Sequence, residues 1–262
     1  MNKTVLVRGT GDVGSAVAHG LFAAGYRVAI HDEAAPQFSR RGMAFVDAIY
    51  DGSAMLAGTM AKRAGGPKAI LHMIACAKAI PVTTDDFRIV LDAVRPDVLV
   101  DARMAKRAIP ERQLELAPLT IGLGPNFTAA VTTHFAVETA WGAQLGRVVA
   151  SGKTRPLEGE PRDLGGYARE RFVYAPVAGT FATDRRIGEW VEAGEVVAML
   201  SGTAIYAPLS GFLRGLTRGS VGVLQGAKVV EIDPRRVGAD LFGIGERPRR
   251  IAEGVLRAIG HR

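Results

Sequence analysis

Near the amino terminus, Gly9-Thr10-Gly11-Asp12-Val13-Gly14 places three glycines at the spacing of a G-x-G-x-x-G fingerprint, between an apolar run from Thr4 to Val7 and an amphipathic stretch from Ser15 to Ala24. Strand, glycine turn and helix in that order let the backbone turn tightly, approach a phosphate and set its charge over the positive end of the helix dipole. Tyr26 to His31 reads as the next strand and ends in Asp32 and Glu33, where a carboxylate accepts a ribose 2'-hydroxyl in sites of this type. Gly9, Gly11, Asp12, Gly14 and Asp32 are therefore candidate cofactor-binding residues. The plainer alternative is that the glycines pack a strand against a helix and Asp32 is a solvated strand end. Arg40 and Arg41 follow closely enough to hold a 2'-phosphate or another phosphorylated ligand, against the common case of solvated loop arginines.

Further candidates follow later strands. Lys106, after the run Val98 to Asp101, offers a point charge, and the turn Gly122-Leu123-Gly124-Pro125, leading to Thr128, offers consecutive backbone N–H groups to an anion. An ordinary tight turn and a surface lysine compete with that reading. His134 and Glu138 share a face if Thr132 to Ala140 is helical, and a hydrogen-bonded pair is favoured over a metal site because no third ligand stands at recognisable spacing. Cys76 lies among Ile74, Ala75 and Ala77 and reads as a small buried hydrophobe.

The elements that must position these residues alternate. Strands are expected at Ala69 to Ala75, Val98 to Asp101 and Leu119 to Leu123, separated by helical or turn-rich segments such as Thr84 to Val94. Alternation of this kind implies an α/β fold around a Rossmann-like parallel sheet. The 262 residues suit two domains: a nucleotide- or cofactor-binding domain over 1–165 and a duplicated β domain over 166–240, followed by a helical tail over 241–262. The formal charge of +7 favours anionic ligands, but the basic residues are scattered in pairs and only 6% of residues are aromatic, so nucleic acid is not expected as a partner. A single cysteine excludes an internal disulfide and a cysteine-based zinc cage. No apolar run reaches the length of a membrane span, and the expected location is the cytoplasm.

In the second half, YAPVAGTF at 174–181 returns thirty-two positions later as YAPLSGFL at 206–213. The same shift lays Val191 on Val223, Gly194 on Gly226 and Leu200 on Ile232 without a gap. Each copy reads as short strands joined by Pro/Gly turns, units that bury an apolar face only by packing together. The pattern resembles the biotinyl and lipoyl carrier fold, a small barrel-sandwich hybrid. Those carriers attach their cofactor to a lysine between the halves, whereas Ser201-Gly202-Thr203-Ala204-Ile205 has none, so the repeat implies a scaffold.

The ordered set VRGTGDVGSAVA, RRGMAFVDAIYDG, VDARMAKR, IGLGPNFTA, HFAVET, LGRVVASG, APVAGTF, GFLRGL, GAKVVEIDPR and EGVLRAIG, from about residue 5 to residue 259, resembles the selenium-dependent molybdenum hydroxylase accessory proteins. These are related to the maturation factors of xanthine and carbon monoxide dehydrogenases. The resemblance implies a chaperone-like factor that binds a phosphorylated pterin or dinucleotide, either the molybdenum cofactor or NAD(P), and assists its modification or insertion into a molybdenum hydroxylase apoenzyme; a homo-oligomer fits this role. Asn126 within GPNFTAA and the stretch Ala140-Trp141-Gly142-Ala143 depart from the family's pattern and remove a histidine from it. The alternatives are an NAD(P)-dependent oxidoreductase, for which no Tyr-x-x-x-Lys pair is present, and a regulatory protein whose nucleotide site has decayed.

Overall fold

A computed structural model describes residues 3–105, 108–157 and 161–260. The chain forms two compact units, one of residues 1–34, 44–158 and 244–262 and one of residues 35–43 and 159–243. The first unit contains strands β1 (Thr4–Arg8), β2 (Arg27–His31), β3 (Ser53–Leu56), β4 (Thr59–Arg63), β5 (Ile80–Thr83), β6 (Val98–Asp101), β7 (Leu119–Leu123), β8 (Thr128–Ala129), β9 (Phe135–Val137), β10 (Val148–Val149) and β11 (Gly152–Lys153). Its helices are α1 (Asp12–Ala23), α2 (Asp47–Asp51), α3 (Gly66–Cys76), α4 (Phe87–Val94) and α5 (Glu246–Gly260). Among the described residues no helix is long and apolar enough to cross a membrane.

Nine strands make one mixed sheet in the order β10-β9-β7-β6-β1-β2-β5-β4-β3, so the fold is α/β. The strands from β9 to β4 run parallel, and β10 and β3 close the two ends antiparallel. The central strands are apolar without alternation because both faces are covered. Val5, Val7, Val28, Ile30, Val98 and Val100 pack with Val17 and Leu21 of α1 and Ile251 and Val255 of α5. Leu6, Ala29 and Leu99 point the other way, into a core shared with Ile70 and Ile74 of α3 and Val90 and Val94 of α4.

Several sequence expectations are corrected here. The run from Ala69 to Ala75 lies in α3 and is not a strand. A seven-residue run, apolar except for His72, carries no decisive period, but Pro67 in the first helical turn and the buried Ile70 and Ile74, four apart, mark a helix. Cys76 is exposed at the end of that helix, with its Sγ 3.5 Å from His72 Nε2. The segment after His134 is strand β9, so His134 and Glu138 share no helical face. The final helix belongs to the first unit.

The second unit contains β12 (Phe172–Tyr174), β13 (Gly179–Ala182), β14 (Trp190–Val191), β15 (Val196–Leu200), β16 (Thr203–Tyr206), β17 (Gly211–Leu216), β18 (Gly222–Val223) and β19 (Lys228–Asp233). They form two four-stranded sheets, β12-β19-β17-β14 and β16-β15-β13-β18. The thirty-two-residue shift carries β12 to β16, β13 to β17, β14 to β18 and β15 to β19, which converts the first sheet order into the second. Repeat partners are buried alike: Phe181 with Leu213, Val191 with Val223, Val197 with Val229 and Leu200 with Ile232. Even the steric demands recur. A Cβ on Gly179 would lie 2.2 Å from Ser201 Oγ, and one on Gly211 would lie 2.5 Å from the carbonyl oxygen of Asp233, the repeat partner of Ser201.

The copies diverge at one outward pair. Ala182 faces Met199 in the first copy, and Met199 is exposed. The repeat shift puts Arg214 and Glu231 at these positions, where a register shift sets Glu231 opposite Gly215, and Glu231 is fully buried. Its carboxylate accepts from Arg40 Nε at 2.6 Å, Arg171 Nη1 at 2.5 Å and Arg214 Nη1 at 2.6 Å. Burial alone would raise the Glu231 carboxyl, but Arg40, Arg214 and Arg171 together hold it well below the usual carboxylate range. The Arg40 contact, with the Leu216 N–H to Ser39 carbonyl bond at 2.8 Å and the Leu224 N–H to Gln37 Oε1 bond at 3.2 Å, joins residues 35–43 to the second unit.

Two stability predictions follow from the second unit. Gly211→Ala should destabilise the protein by about 1–3 kcal/mol through overpacking against backbone. Gly179→Ala should do less, because a serine side chain gives way more easily; urea denaturation of both variants checks the order. Glu231→Gln leaves the arginines, Arg171 above all, without a buried counter-charge and should lower stability by roughly 3–5 kcal/mol in the same assay.

Candidate functional site

The central parallel strands end in one row of polar residues. Arg8 is aligned with His31 on one side and Asp101 on the other, His31 with Thr83, and Asp101 with Gly122. β1 and β6 are apolar up to this row and change character at their last residue, as in Val5-Leu6-Val7-Arg8 and Val98-Leu99-Val100-Asp101. Open α/β sheets bind ligands outside these carboxyl ends.

The glycine turn lies at that edge. Gly9 has φ of +112°, and a Cβ there would lie 2.8 Å from the carbonyl oxygen of Ala102 at the end of β6. A Cβ on Gly14 would lie 2.0 Å from the carbonyl oxygen of Gly9. Backbone contact therefore requires both glycines whatever binds nearby. Gly11 precedes α1 in an extended conformation and supplies no side-chain cap. Asp12 stands in the first helical turn, and its Oδ1 accepts the Val13 N–H at 2.9 Å. A carboxylate there is stabilised by the helix dipole and opposes a phosphate in the same place.

Asp32 is tied to the turn. Its Oδ2 accepts the Thr10 N–H at 2.6 Å and the Thr10 hydroxyl at 2.5 Å, while Oδ1 accepts the Glu33 N–H at 2.8 Å. The Ser15 hydroxyl donates to the Thr10 carbonyl at 2.8 Å and accepts the Phe45 N–H at 2.7 Å, anchoring the turn from beneath. Burial, and then the charge of Asp32, raise the Glu33 carboxyl above its ordinary value.

Beside the turn is a charged cluster that joins Asp101 and Arg103, from the segment that leads to Lys106, with Arg8, Gln113 and Glu111, a grouping the sequence does not show. Asp101 accepts from Arg103 Nε at 3.0 Å, Arg103 Nη2 at 2.6 Å and Gln113 Nε2 at 2.6 Å. Burial would raise its carboxyl, but Arg103, Gln113 and Arg8 outweigh burial and lower it. Arg8 stacks 3.9 Å above the Phe87 ring. His31 donates from Nε2 to the Asp85 carbonyl at 2.9 Å, which fixes its tautomer, and its ring centroid lies 5.2 Å from that of Phe87. Burial lowers the His31 pKa first of all; the Asp85 bond and Asp32 oppose that shift while Arg8 and Arg103 add to it, so the ring is neutral near pH 7. The one signal available in sequence was a lone charge closing each of two apolar strands.

The remaining candidates are placed elsewhere. Arg40 and Arg41 belong to the second unit, where Arg40 is engaged by Glu231. Lys106 lies outside the described residues. A Cβ on Gly122 would lie 2.0 Å from the Phe127 ring, so packing accounts for that glycine. Gly124 has φ of +121°, and its carbonyl accepts the Thr154 hydroxyl at 2.7 Å. Thr128 donates its N–H to Thr132 Oγ1 at 2.9 Å. His134 Nδ1 accepts the Thr120 N–H at 3.1 Å, and Glu138 accepts the N–H groups of Thr139 and Ala140 at 2.7 and 2.8 Å, so the two residues make separate contacts. Among the described residues no group of three or more His, Cys, Asp or Glu could hold a metal ion.

No family model matches the chain. Over 258 residues it is 35% identical to the uncharacterized protein YqeB of Escherichia coli K12, a match covering 98% of this chain and 47% of that protein. The chain thus spans about half the length of the curated relative it matches. Similar solved structures include a succinylglutamate desuccinylase from a Silicibacter species, 14% identical with a TM-score of 0.26, covering 88% of this chain and 84% of that one. The ectoine utilization protein EutE of Ruegeria pomeroyi is 12% identical with a TM-score of 0.28, covering 89% and 86%. An aspartoacylase family protein from Mesorhizobium loti is 11% identical with a TM-score of 0.27, covering 88% and 84%. These findings correct the expected kinship with molybdenum hydroxylase accessory proteins: no family model of that kind matches, and the relative that does match, YqeB, is uncharacterized. The maturation role and the alternative of an NAD(P)-dependent oxidoreductase fall with it. At such TM-scores the structural matches carry no argument about this chain, whose function is read from its own site.

The neutral His31 yields a pH prediction. Its pKa is depressed on folding, so the unfolded chain binds the extra proton, and the stability involved is present above the ordinary value of 6.5 and lost as pH falls below it. Stability measured from pH 7.5 to 5 should fall more steeply for the wild type than for His31→Gln; parallel profiles would contradict the assignment.

Proposed function

We propose that the first unit binds a nucleotide-type ligand, with a phosphate near the amino end of α1 and a ribose hydroxyl on Asp32. The observation that carries this reading is the fixed position of Asp32: two donors from Thr10 hold its carboxylate beside a glycine turn whose helix has no side-chain cap. A carboxylate held in this way keeps lone pairs for a hydroxyl and needs no reorganisation to accept it. Asp32 and Glu33 together favour a ribose with a free 2'-hydroxyl and repel a 2'-phosphate. Arg40, engaged by Glu231, is already committed to another carboxylate. On this reading the sheet is a Rossmann-like, doubly wound domain that binds its ligand, and the duplicated second unit is a barrel-sandwich scaffold. NAD and adenosine monophosphate fit the first unit better than NADP.

A second reading has its own support. The backbone contacts that demand Gly9 and Gly14, and the carboxylate of Asp12 over the end of α1, favour a turn kept for packing. Isothermal titration separates the two. Adenosine monophosphate and NAD should bind, NADP should bind more weakly, and Asp32→Ala should reduce affinity by about 10- to 100-fold, the effect of losing a hydrogen bond to a charged group. Absence of heat with all three nucleotides would return the turn to packing alone.

A further inference from the structure

Glu111 stands apart from the rest of the charged cluster in being half exposed. Its Oε1 accepts Arg8 Nη1 at 2.7 Å and Arg103 Nη2 at 2.8 Å, while its side chain is 53% exposed and those of Arg8 and Asp101 are 9% and 4% exposed. A carboxylate bridging two guanidinium groups at a sheet's carboxyl edge has the contacts of a bound oxyanion. We propose that Arg8 and Arg103 form an oxyanion site in which Glu111 is an internal stand-in, and that a phosphate group of the ligand displaces it.

The two arginines do not depend on Glu111 for their positions. Arg103 is gripped at Nε and Nη2 by Asp101, which Gln113 holds in turn, and Arg8 is stacked on Phe87. Glu111 is the exchangeable member, because an exposed ion pair adds little to stability. With Glu111 in place the two arginines and two carboxylates are balanced, and with it displaced one positive charge is uncovered. Arg8 Nε supplies a second sign of an unmet acceptor: it is buried and has no hydrogen-bond partner among the described residues. A phosphate has more oxygens to offer than the single Oε1 now shared by both arginines. The site also meets a difficulty at α1, where Asp12 opposes a phosphate held by the helix alone.

The identity of the ligand as a nucleotide rests on the reading above; the oxyanion site does not. Inorganic phosphate, titrated calorimetrically at constant ionic strength, should bind the wild type weakly and Glu111→Gln about tenfold more tightly, the gain from removing a competing charge. Glu111→Ala is the second variant should the first fold poorly, and Arg103→Met placed in the Glu111→Gln background should abolish the gain. If both Glu111 variants fold with wild-type melting curves and bind phosphate no more tightly, the proposal is wrong. Adenosine monophosphate, titrated in parallel into wild type and Asp32→Ala, keeps the two ideas distinct. Affinity that depends on Asp32 with no Glu111 effect sinks the oxyanion site and leaves the nucleotide reading standing. A Glu111 effect with no dependence on Asp32 does the reverse.

Discussion

The ionised carboxylate of Asp101 is the constraint on which the sheet's carboxyl edge depends. A buried charge at the end of an apolar strand persists only when partners replace the water it has lost. Arg103 and Gln113 donate to it directly, and Arg8 stands 3.9 Å away on the neighbouring strand. Holding these partners fixes much else: Arg8 sits immediately before the glycine turn, and Ala102, immediately after Asp101, is the residue against which Gly9 packs. The charge network and the turn share one stretch of backbone.

The second unit repeats the device with different material. Duplication gives two sheets related by one shift of sequence, with the same positions buried and the same glycine crowded in each copy. A perfect repeat would leave two equivalent outer faces. Placing Glu231 where the first copy has Met199 breaks that equivalence, and three arginines, one of them from residues 35–43, meet its charge. In each unit a buried carboxylate is met by an arginine distant in sequence, Arg8 beside Asp101 and Arg40 and Arg171 on Glu231.

That distance explains what the sequence revealed and what it withheld. β1, the glycine turn, α1 and β2 were legible in order and type, because apolar runs and glycine punctuation are local signals, although α1 begins at Asp12, three residues before the amphipathic stretch marks it. The duplicated strands were legible because each position is subject to the same burial twice. The cluster at the carboxyl edge was not, since Arg8 and Glu111 are 103 positions apart and each resembles an ordinary solvated charge. The same holds for Arg40 and Glu231, separated by 191 positions, so that Arg40 looked available for a phosphate. The α3 segment was misread because a short apolar run fits a buried strand as well as a helix. The hairpin of β3 and β4 escaped because its two-residue turn, Ala57-Gly58, carries a non-glycine residue at φ of +47°.

The nucleotide site proposed at the Gly9–Gly14 turn and Asp32 is open to direct test. A two-dimensional 1H–15N correlation spectrum, recorded as adenosine monophosphate is added to the intact chain, tests this residue by residue. Saturable shifts concentrated in the amides of Gly9, Thr10, Gly11 and Glu33 are expected, with the second unit's amides unmoved. Saturable shifts confined to other amides, or no shifts at millimolar nucleotide, would contradict it.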